Sequence, residues 1–306
     1  MDTICEEGYE NICWFGIGGT YASALQADIH MQEKSNINSF AENSSVFFTT
    51  GNRKIGKDTV VIISSVTGTT DDLIRGLEKV KETGATILAF VDSGSDSPSG
   101  KLSDIVISYP ENEQLKFFMV ADRFMYNNGE FSDYETYYEE LESYLADALV
   151  DVAEKSDEFA QSFAEKHHDD EMHYFVGAGN QYGATYSYAM CYWEEQHWLR
   201  TKSIHSAEFF HGMFEIVDRD TNVTVYVGED SQRTLSERVA NFLPRICGRY
   251  TIIDTSDYEL KGISEKYRGS LSHLVMMEMN NRIDAYIEKI NRHPVDIRRY
   301  YRQLDY

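Results

Sequence analysis

The chain has 306 residues, with 28 basic against 51 acidic side chains and a formal net charge of −23. At roughly 100–200 residues per domain, this length implies two domains or one large doubled one, with room for a full core. So acidic a chain repels a phosphate backbone unless its cations cluster, and the basic cluster it has is the tail Arg298-Arg299-Tyr300-Tyr301-Arg302. Nucleic acid is therefore not an expected partner.

The four cysteines, Cys5, Cys13, Cys191 and Cys247, form no CxxC pair and no metal-binding spacing. Cys13 and Cys191 lie in apolar patterns and read as buried thiols, which fits a reducing compartment. The first residues lack the basic and apolar regions of a leader peptide. No stretch approaches the roughly 18 apolar residues of a membrane span. Cytoplasm is the expected location, with no membrane partner.

In chain order, Asn11 to Phe15 reads as a buried strand, followed by the turn Gly16-Ile17-Gly18-Gly19-Thr20 and a helix from about Tyr21 to Glu33. The short distance from residue 1 to this strand predicts a short or missing leading helix. Ser39 to Ala41 is a short strand. Thr59 to Ser64 is apolar and β-branched throughout, as in a parallel strand covered on both faces. Asp71 to Thr83 has helical periodicity, and Gly84 suits the position just past its end. Strands follow at Thr86–Val91 and Ile105–Ser108. Glu111 to Lys166 is mostly helical, with a break at Asn127-Asn128-Gly129. A second cycle then begins: strand His173–Val176, turn Gly177–Asn180 and helix Gln181–Leu199. Strand Val223–Val227, helix Leu235–Leu243, strand Thr251–Asp254 and a helix from Ser270 to Asn291 complete it. Strands alternating with helices of this length predict βαβ units and parallel sheets.

The two halves repeat one pattern. Phe15-Gly16-Ile17-Gly18-Gly19-Thr20-Tyr21 matches Val176-Gly177-Ala178-Gly179-Asn180-Gln181-Tyr182, each after a strand and opening a helix. Internal duplication is the preferred reading; the alternative is two tight turns that share glycines for backbone reasons alone. The first turn is not the dinucleotide fingerprint, because position 21 is Tyr and no acidic residue stands about 20 residues on beside a second strand. A Walker lysine is absent as well. No organic cofactor is expected.

Two further segments carry chemistry. Ser64-Ser65-Val66-Thr67-Gly68-Thr69-Thr70 leaves the strongest strand and runs straight into a helix. The unpaired N–H groups and dipole of a helix start attract a phosphate, and hydroxyls at Ser65, Thr67 and Thr70 complete a cradle without a cation. Ordinary helix capping is the bland alternative. Trp193 to Glu215 gathers Glu194, Glu195, His197, His205, Glu208 and His211 around Gly212. Carboxylate with imidazole suits proton transfer beside a carbonyl carbon. A polar helix face is the bland reading. Ligation of a metal by His205, Glu208 and His211 is conceivable, but no spacing is diagnostic, and no metal is expected.

On these residues the chain resembles the tandem SIS (sugar isomerase) domains of the isomerase half of glucosamine-6-phosphate synthase, over essentially its whole length. The resemblance implies an α/β fold of two tandem SIS domains, 1–150 and 151–306. Each would be a three-layer α/β/α sandwich with a mainly parallel, five-stranded, flavodoxin-like sheet. Ser65-x-Thr67-Gly68-x-Thr70 resembles the family's S-x-S-G-x-T phosphate loop, and Gly18-Gly19-Thr20-Tyr21 its first-turn C-G-T-S. Gly19, Thr20, Ser65, Thr67 and Thr70 are thus the implied phosphate ligands. Gly18, Glu42, Gln181 and Arg298 are further candidate substrate contacts. The family's catalytic glutamate lies sixteen residues before the histidine of an H-G-P motif, and here Glu195 stands sixteen before His211-Gly212, with Met213 for Pro. The resemblance makes Glu195 the general base and His211 the acid.

In the synthase that histidine comes from the neighbouring subunit, so a homodimer or higher homo-oligomer with a shared active site is implied. Neither the synthase's glutamine-hydrolysing domain nor its terminal lysine is expected here. Its ending, His293-Pro294 to Arg298-Arg299-Tyr300, together with Ala207-Glu208-Phe209-Phe210-His211-Gly212, is instead similar to the fructoselysine-6-phosphate deglycase branch. The implied activity is cleavage of a 6-phosphorylated fructosamine to glucose 6-phosphate and an amino acid. The alternatives are an aldose–ketose phosphosugar isomerase, an aminotransferase-like enzyme, or a non-catalytic sugar-phosphate sensor.

Overall fold

In the computed structural model, which describes residues 1–109 and 112–305, the chain divides into two compact units, Met1–Glu135 and Thr136–Tyr306. The first unit runs α1 (Asp2–Glu7), β1 (Asn11–Gly16), α2 (Gly19–Lys34), β2 (Ser39–Asn43), α3 (Ser44–Thr50), β3 (Thr59–Ser65), α4 (Asp71–Thr83), β4 (Thr86–Val91), α5 (Pro98–Leu102), β5 (Ile105–Ile107) and α6 (Glu113–Asn127). A leading helix is therefore present, six residues long. Glu111, where the long helical stretch is expected to open, lies outside the described residues.

The five strands pair in parallel in the order β2-β1-β3-β4-β5, the flavodoxin-like arrangement. Successive side chains of a strand point to opposite faces, and here both faces are apolar. Ile12, Trp14, Val60, Ile62, Leu88 and Phe90 pack with Ala27 of α2 and Phe117 and Phe124 of α6. Cys13, Phe15, Val61, Ile63, Ile87 and Ala89 pack with Phe47 of α3 and Leu73, Leu77 and Val80 of α4. All seven residues of β3 are buried, and each large apolar side chain so buried is worth about 1.5–3 kcal/mol against exposure. That double coverage is why the strands read as continuous apolar runs.

The second unit contains α7 (Tyr134–Glu140), which crosses the division, a π-helical turn at Leu141–Leu145, and α8 (Ala146–His167). The expected boundary at 150/151 falls inside α8. Periodicity along a helical stretch carries no mark of where one core gives way to another. The unit continues with β6 (His173–Gly177), α9 (Asn180–Ser187), β7 (Thr201–His205), β8 (Asn222–Val227), α10 (Arg233–Phe242), β9 (Arg249–Asp254), α11 (Glu265–Arg268) and α12 (Ser272–Asn291). Its sheet is parallel, in the order β7-β6-β8-β9. Val176, Val223, Val225 and Val227 line one face with Phe209, Val239 and Leu243. The other face is aromatic, with Phe175 edge-on to Trp193 at 4.9 Å and stacked on Tyr226 at 6.2 Å.

Four strands stand where five were expected. After β9 the described chain turns into α11 and α12 and adds no strand. The sequence does not predict strand β7, because Thr201–His205 lies within the polar stretch Trp193–Glu215, whose pattern suits a helix face. It has one large apolar residue, Ile204, and pairs on one side only, with β6. An edge strand of that kind shows no apolar run. The expected helix Gln181–Leu199 is likewise shorter, changing from α9 into a π-helix at Tyr188–Glu194. Cys13 and Cys247 are buried, whereas Cys191 is only partly so.

The doubled pattern is visible in the backbone. Each sheet places its second strand outermost, then its first, third and fourth. Gly18 has φ 61 and ψ −131, and Gly179 has φ 57 and ψ −134. Both turns therefore enter their helices through the same conformation, one open to glycine and hostile to other residues.

Candidate active site

In an open parallel sheet the binding crevice lies beyond the carboxyl ends of the strands, where the strand order reverses. In the first unit that point is between β1 and β3. It gathers the glycine turn with Gly18, Gly19 and Thr20, and the loop with Ser65, Thr67 and Thr70. Thr20 Oγ1 bridges the two by donating to the Ser64 carbonyl at 3.3 Å. The loop is held by its own hydroxyls: Ser65 Oγ accepts the Gly68 N–H at 3.0 Å, and Thr67 Oγ1 meets Thr69 Oγ1 at 2.8 Å. Gly68 has φ 63, and a Cβ there would lie 2.4 Å from Ser97 Oγ. Ser99 pins the turn by donating its N–H and its hydroxyl to the Gly68 carbonyl at 3.0 and 3.1 Å. Thr70 is the N-cap residue of α4, yet its side chain makes no cap hydrogen bond. Its hydroxyl is therefore not spent on the ordinary capping role.

Sequence reasoning missed Glu113, the first residue of α6. Its carboxylate accepts from Thr20 Oγ1 at 3.2 Å and from Ser23 Oγ at 2.7 Å. A negative group thus already occupies Thr20. Nothing local marks this, since Glu113 and Thr20 are 93 residues apart. Glu42 lies on the neighbouring strand β2, where its carboxylate accepts from Asn52 Nδ2 at 2.5 Å.

The equivalent crevice of the second unit, between β6 and β8, is filled by its own side chains. Asp230 Oδ2 accepts the Asn180 N–H at 2.8 Å, and Gln232 Oε1 accepts the Gly179 N–H at 3.1 Å. The helix start that would attract an external anion has a built-in carboxylate. Gln181, the counterpart of Thr20, is 0% exposed. An exposed contact surface, as expected of a substrate ligand, is not what this structure shows for it.

Glu195 sits where the π-helix ends. Its N–H donates to Met190 and that of His197 to Tyr192, both five residues back, at 3.1 and 3.0 Å. Such widened turns often mark functional sites. Arg298 Nε donates to Glu195 Oε1 at 2.8 Å, and its Nη1 donates to the carbonyls of Val295 and Ile297. Two of the expected residues, 103 positions apart, are therefore brought together. Both line a cavity of about 890 Å³ with Glu194, Trp198, Arg200 and Arg299.

The tail is fastened here by His293, whose Nε2 donates to the Gln196 carbonyl at 3.0 Å and whose ring lies 4.0 Å from that of Trp198. Trp198 has φ 59, left-handed backbone in which a non-glycine residue costs about 1–2 kcal/mol. Beneath the turn, buried His197 Nε2 and the Tyr188 hydroxyl both meet Asp284 Oδ1 at 3.0 Å. Burial pushes the Asp284 carboxyl up.

His211 is exposed at the end of a 3₁₀ helix, Ser206–His211, and does not line the Glu195 cavity. His205 Nδ1 accepts the Ala207 N–H at 3.1 Å, and burial lowers its pKa. Among the described residues, the group of three with clustered ligand atoms is His167, Asp170 and His173 rather than His205, Glu208 and His211. Both imidazoles meet one carboxylate oxygen, Asp170 Oδ2, through Nδ1 at 2.7 and 2.8 Å, and His173 Nε2 accepts from Thr224 Oγ1 at 2.8 Å. Those contacts read as a hydrogen-bonded core network in which both Nδ1 atoms already share one carboxylate oxygen.

A flavodoxin-like parallel sheet, with a glycine turn and a hydroxyl-rich loop at its switch point, defines an α/β domain of one type: residues 8–122 match the SIS domain. Beyond that stretch, the chain is 25% identical to the fructosamine deglycase FrlB of Bacillus subtilis (strain 168), over 97% of this chain and 93% of that protein. It is 24% identical to the fructoselysine 6-phosphate deglycase of Escherichia coli (strain K12), over 94% and 84%. Its fold is similar to that of the C-terminal domain of glucosamine-fructose-6-phosphate aminotransferase from Francisella tularensis. The TM-score there is 0.81, at 17% identity, covering 96% of this chain and 88% of that one.

Proposed function

We propose that this chain is a fructosamine-6-phosphate deglycase. Water and a 6-phosphorylated fructosamine would become glucose 6-phosphate and a free amine. The reading is carried by a carboxylate at position 195, held by Arg298 at the wall of a cavity large enough for a substituted sugar, in a chain similar along its length to two deglycases.

In this reading Thr20, Ser65, Thr67 and Thr70, with the backbone of Gly18 and Gly19, hold the phosphate. His211 opens the sugar ring. Glu195 removes a proton from C1 of the open ketosamine, giving the enaminol, and returns it to C2, giving the imine. Water adds at C1, the C–N bond breaks, and the amine leaves with the proton that completes its valence. The duplicated unit would be a second SIS domain, and the enzyme a cytoplasmic homodimer with His211 given by the partner subunit.

Incubation with 6-phosphofructosyl-lysine should release glucose 6-phosphate. Glu195→Gln should lower kcat by about 10²–10⁴, the usual span for loss of a positioned base. Equal rates for both proteins would remove Glu195 from the chemistry. The fold shared with the aminotransferase domain favours a second reading, aldose–ketose isomerisation by the same two groups. It would show as hexose phosphate interconversion without amine release.

A further inference from the structure

We infer that Arg299, with Arg200, reads the carboxylate of the amine that the enzyme releases, and so decides which fructosamines are substrates. This rests on the deglycase reading above. In a fructosamine the amine nitrogen is bonded to C1, the carbon from which Glu195 would take its proton. The amine fragment therefore begins one bond from the atom the base must reach. Glu195, Arg200 and Arg299 line one cavity with Arg298, so that fragment extends along a wall bearing three guanidinium groups.

The charges of this wall are divided. Arg298 is committed to Glu195 and to two carbonyl oxygens. Arg200 and Arg299 have no ion-pair partner among the described residues. In a chain of net charge −23, with Asp169, Asp170, Glu171, Glu194 and Glu195 on the same cavity, an entering carboxylate is repelled wherever no local cation offsets the field. Two unpaired arginines supply that offset.

Arg299 is also oriented for the task. Its guanidinium lies 4.0 Å from the centroid of the Trp198 ring. Stacking on an indole fixes the plane of the group and leaves its N–H edges open for a two-pronged bond to a carboxylate. Trp198 carries that ring from left-handed backbone, a conformation glycine adopts without strain. Strain of this kind persists where the surroundings enforce it and points to a working side chain. An amino acid brings a carboxylate to this wall; a simple alkylamine does not.

The test compares two 6-phosphorylated fructosamines that differ by that one group: the adduct of the lysine side-chain amine and the adduct of cadaverine, which is lysine without its carboxylate. The wild-type protein should favour the lysine adduct in kcat/KM by at least about tenfold, a typical increment for one charge-assisted contact. Arg299→Ala should collapse that ratio at least tenfold, mainly through KM, Arg200→Ala should reduce it, and Arg299→Lys should restore part of it. Turnover of both adducts with equal kcat/KM overturns the inference, as does a ratio that neither arginine changes. If neither adduct yields glucose 6-phosphate, the deglycase reading fails, and binding decides this one separately. Calorimetric titration should then show free lysine bound, cadaverine not, and lysine affinity at least tenfold weaker in Arg299→Ala. Equal binding of the two amines, or binding of neither, overturns it.

Discussion

Thr20 and Glu113 form a pair whose logic is electrostatic. The Thr20 hydroxyl would serve a phosphate dianion, but a carboxylate holds it at 3.2 Å and holds Ser23 at 2.7 Å. Two anions at one hydroxyl repel, and a pair of partly buried charges a few ångströms apart interacts by about 1 kcal/mol or more. Glu113→Gln keeps the shape and removes the charge. It should lower the KM for a sugar phosphate about threefold to tenfold, with little change in kcat. A rise in KM would mean that the carboxylate orients Thr20 instead of competing for it.

At the scale of elements, the β3–α4 connection depends on one backbone conformation. Gly68 at φ 63 lets the loop reverse over Ser97 and Ser99, and its carbonyl takes both bonds from Ser99. Gly68→Ala introduces positive-φ strain and a Cβ 2.4 Å from Ser97 Oγ. A loss of about 1–3 kcal/mol in stability is expected in denaturant titration. Phosphate affinity should fall with it, because Ser65, which accepts the Gly68 N–H, shares the loop.

At the scale of the whole molecule, stability should depend on pH through the buried imidazole network. Burial pushes His173 down from 6.5 to about 4. Burial also pushes Asp170 up, but the hydrogen bonds from His167 and His173 outweigh it and hold the carboxyl near 2. Both groups have depressed folded-state pKa values, so each favours the fold above its unfolded value. His173 loses its contribution as pH falls from about 6.5 to 4, and Asp170 loses its own below that, toward 2. Unfolding free energy should drop by about 3 kcal/mol between pH 7 and pH 4 from His173, and His173→Gln should flatten that segment in denaturant titrations.

The assembly can be probed at the same scale. If each active site takes Glu195 from one subunit and His211 from its partner, mixed Glu195→Gln and His211→Ala proteins should recover about a quarter of wild-type activity after subunit exchange, since half the dimers are mixed and each holds one intact site. No recovery would place both residues in one subunit.

Much of this protein is written locally in its chain. Continuous apolar runs such as Thr59–Ser65 announce parallel strands with both faces covered, and the paired glycine turns announce the doubled pattern. Each rests on period and backbone freedom within a few residues. The hydroxyl-rich loop before α4 was legible for the same reason, whereas the pairing of Glu195 with His211-Gly212 rests on the family resemblance and on no local pattern. Tertiary structure alone decided the rest. Strand β7 has too few apolar residues to show itself as an edge. Glu113 meets Thr20, and Arg298 meets Glu195, across 93 and 103 positions, and no local pattern encodes such a meeting. Asp230 meets the helix start of the second crevice and Glu113 holds Thr20 in the first, because a charge at such a place depends on which segment the fold brings there, and that is settled only when the strands have chosen their neighbours.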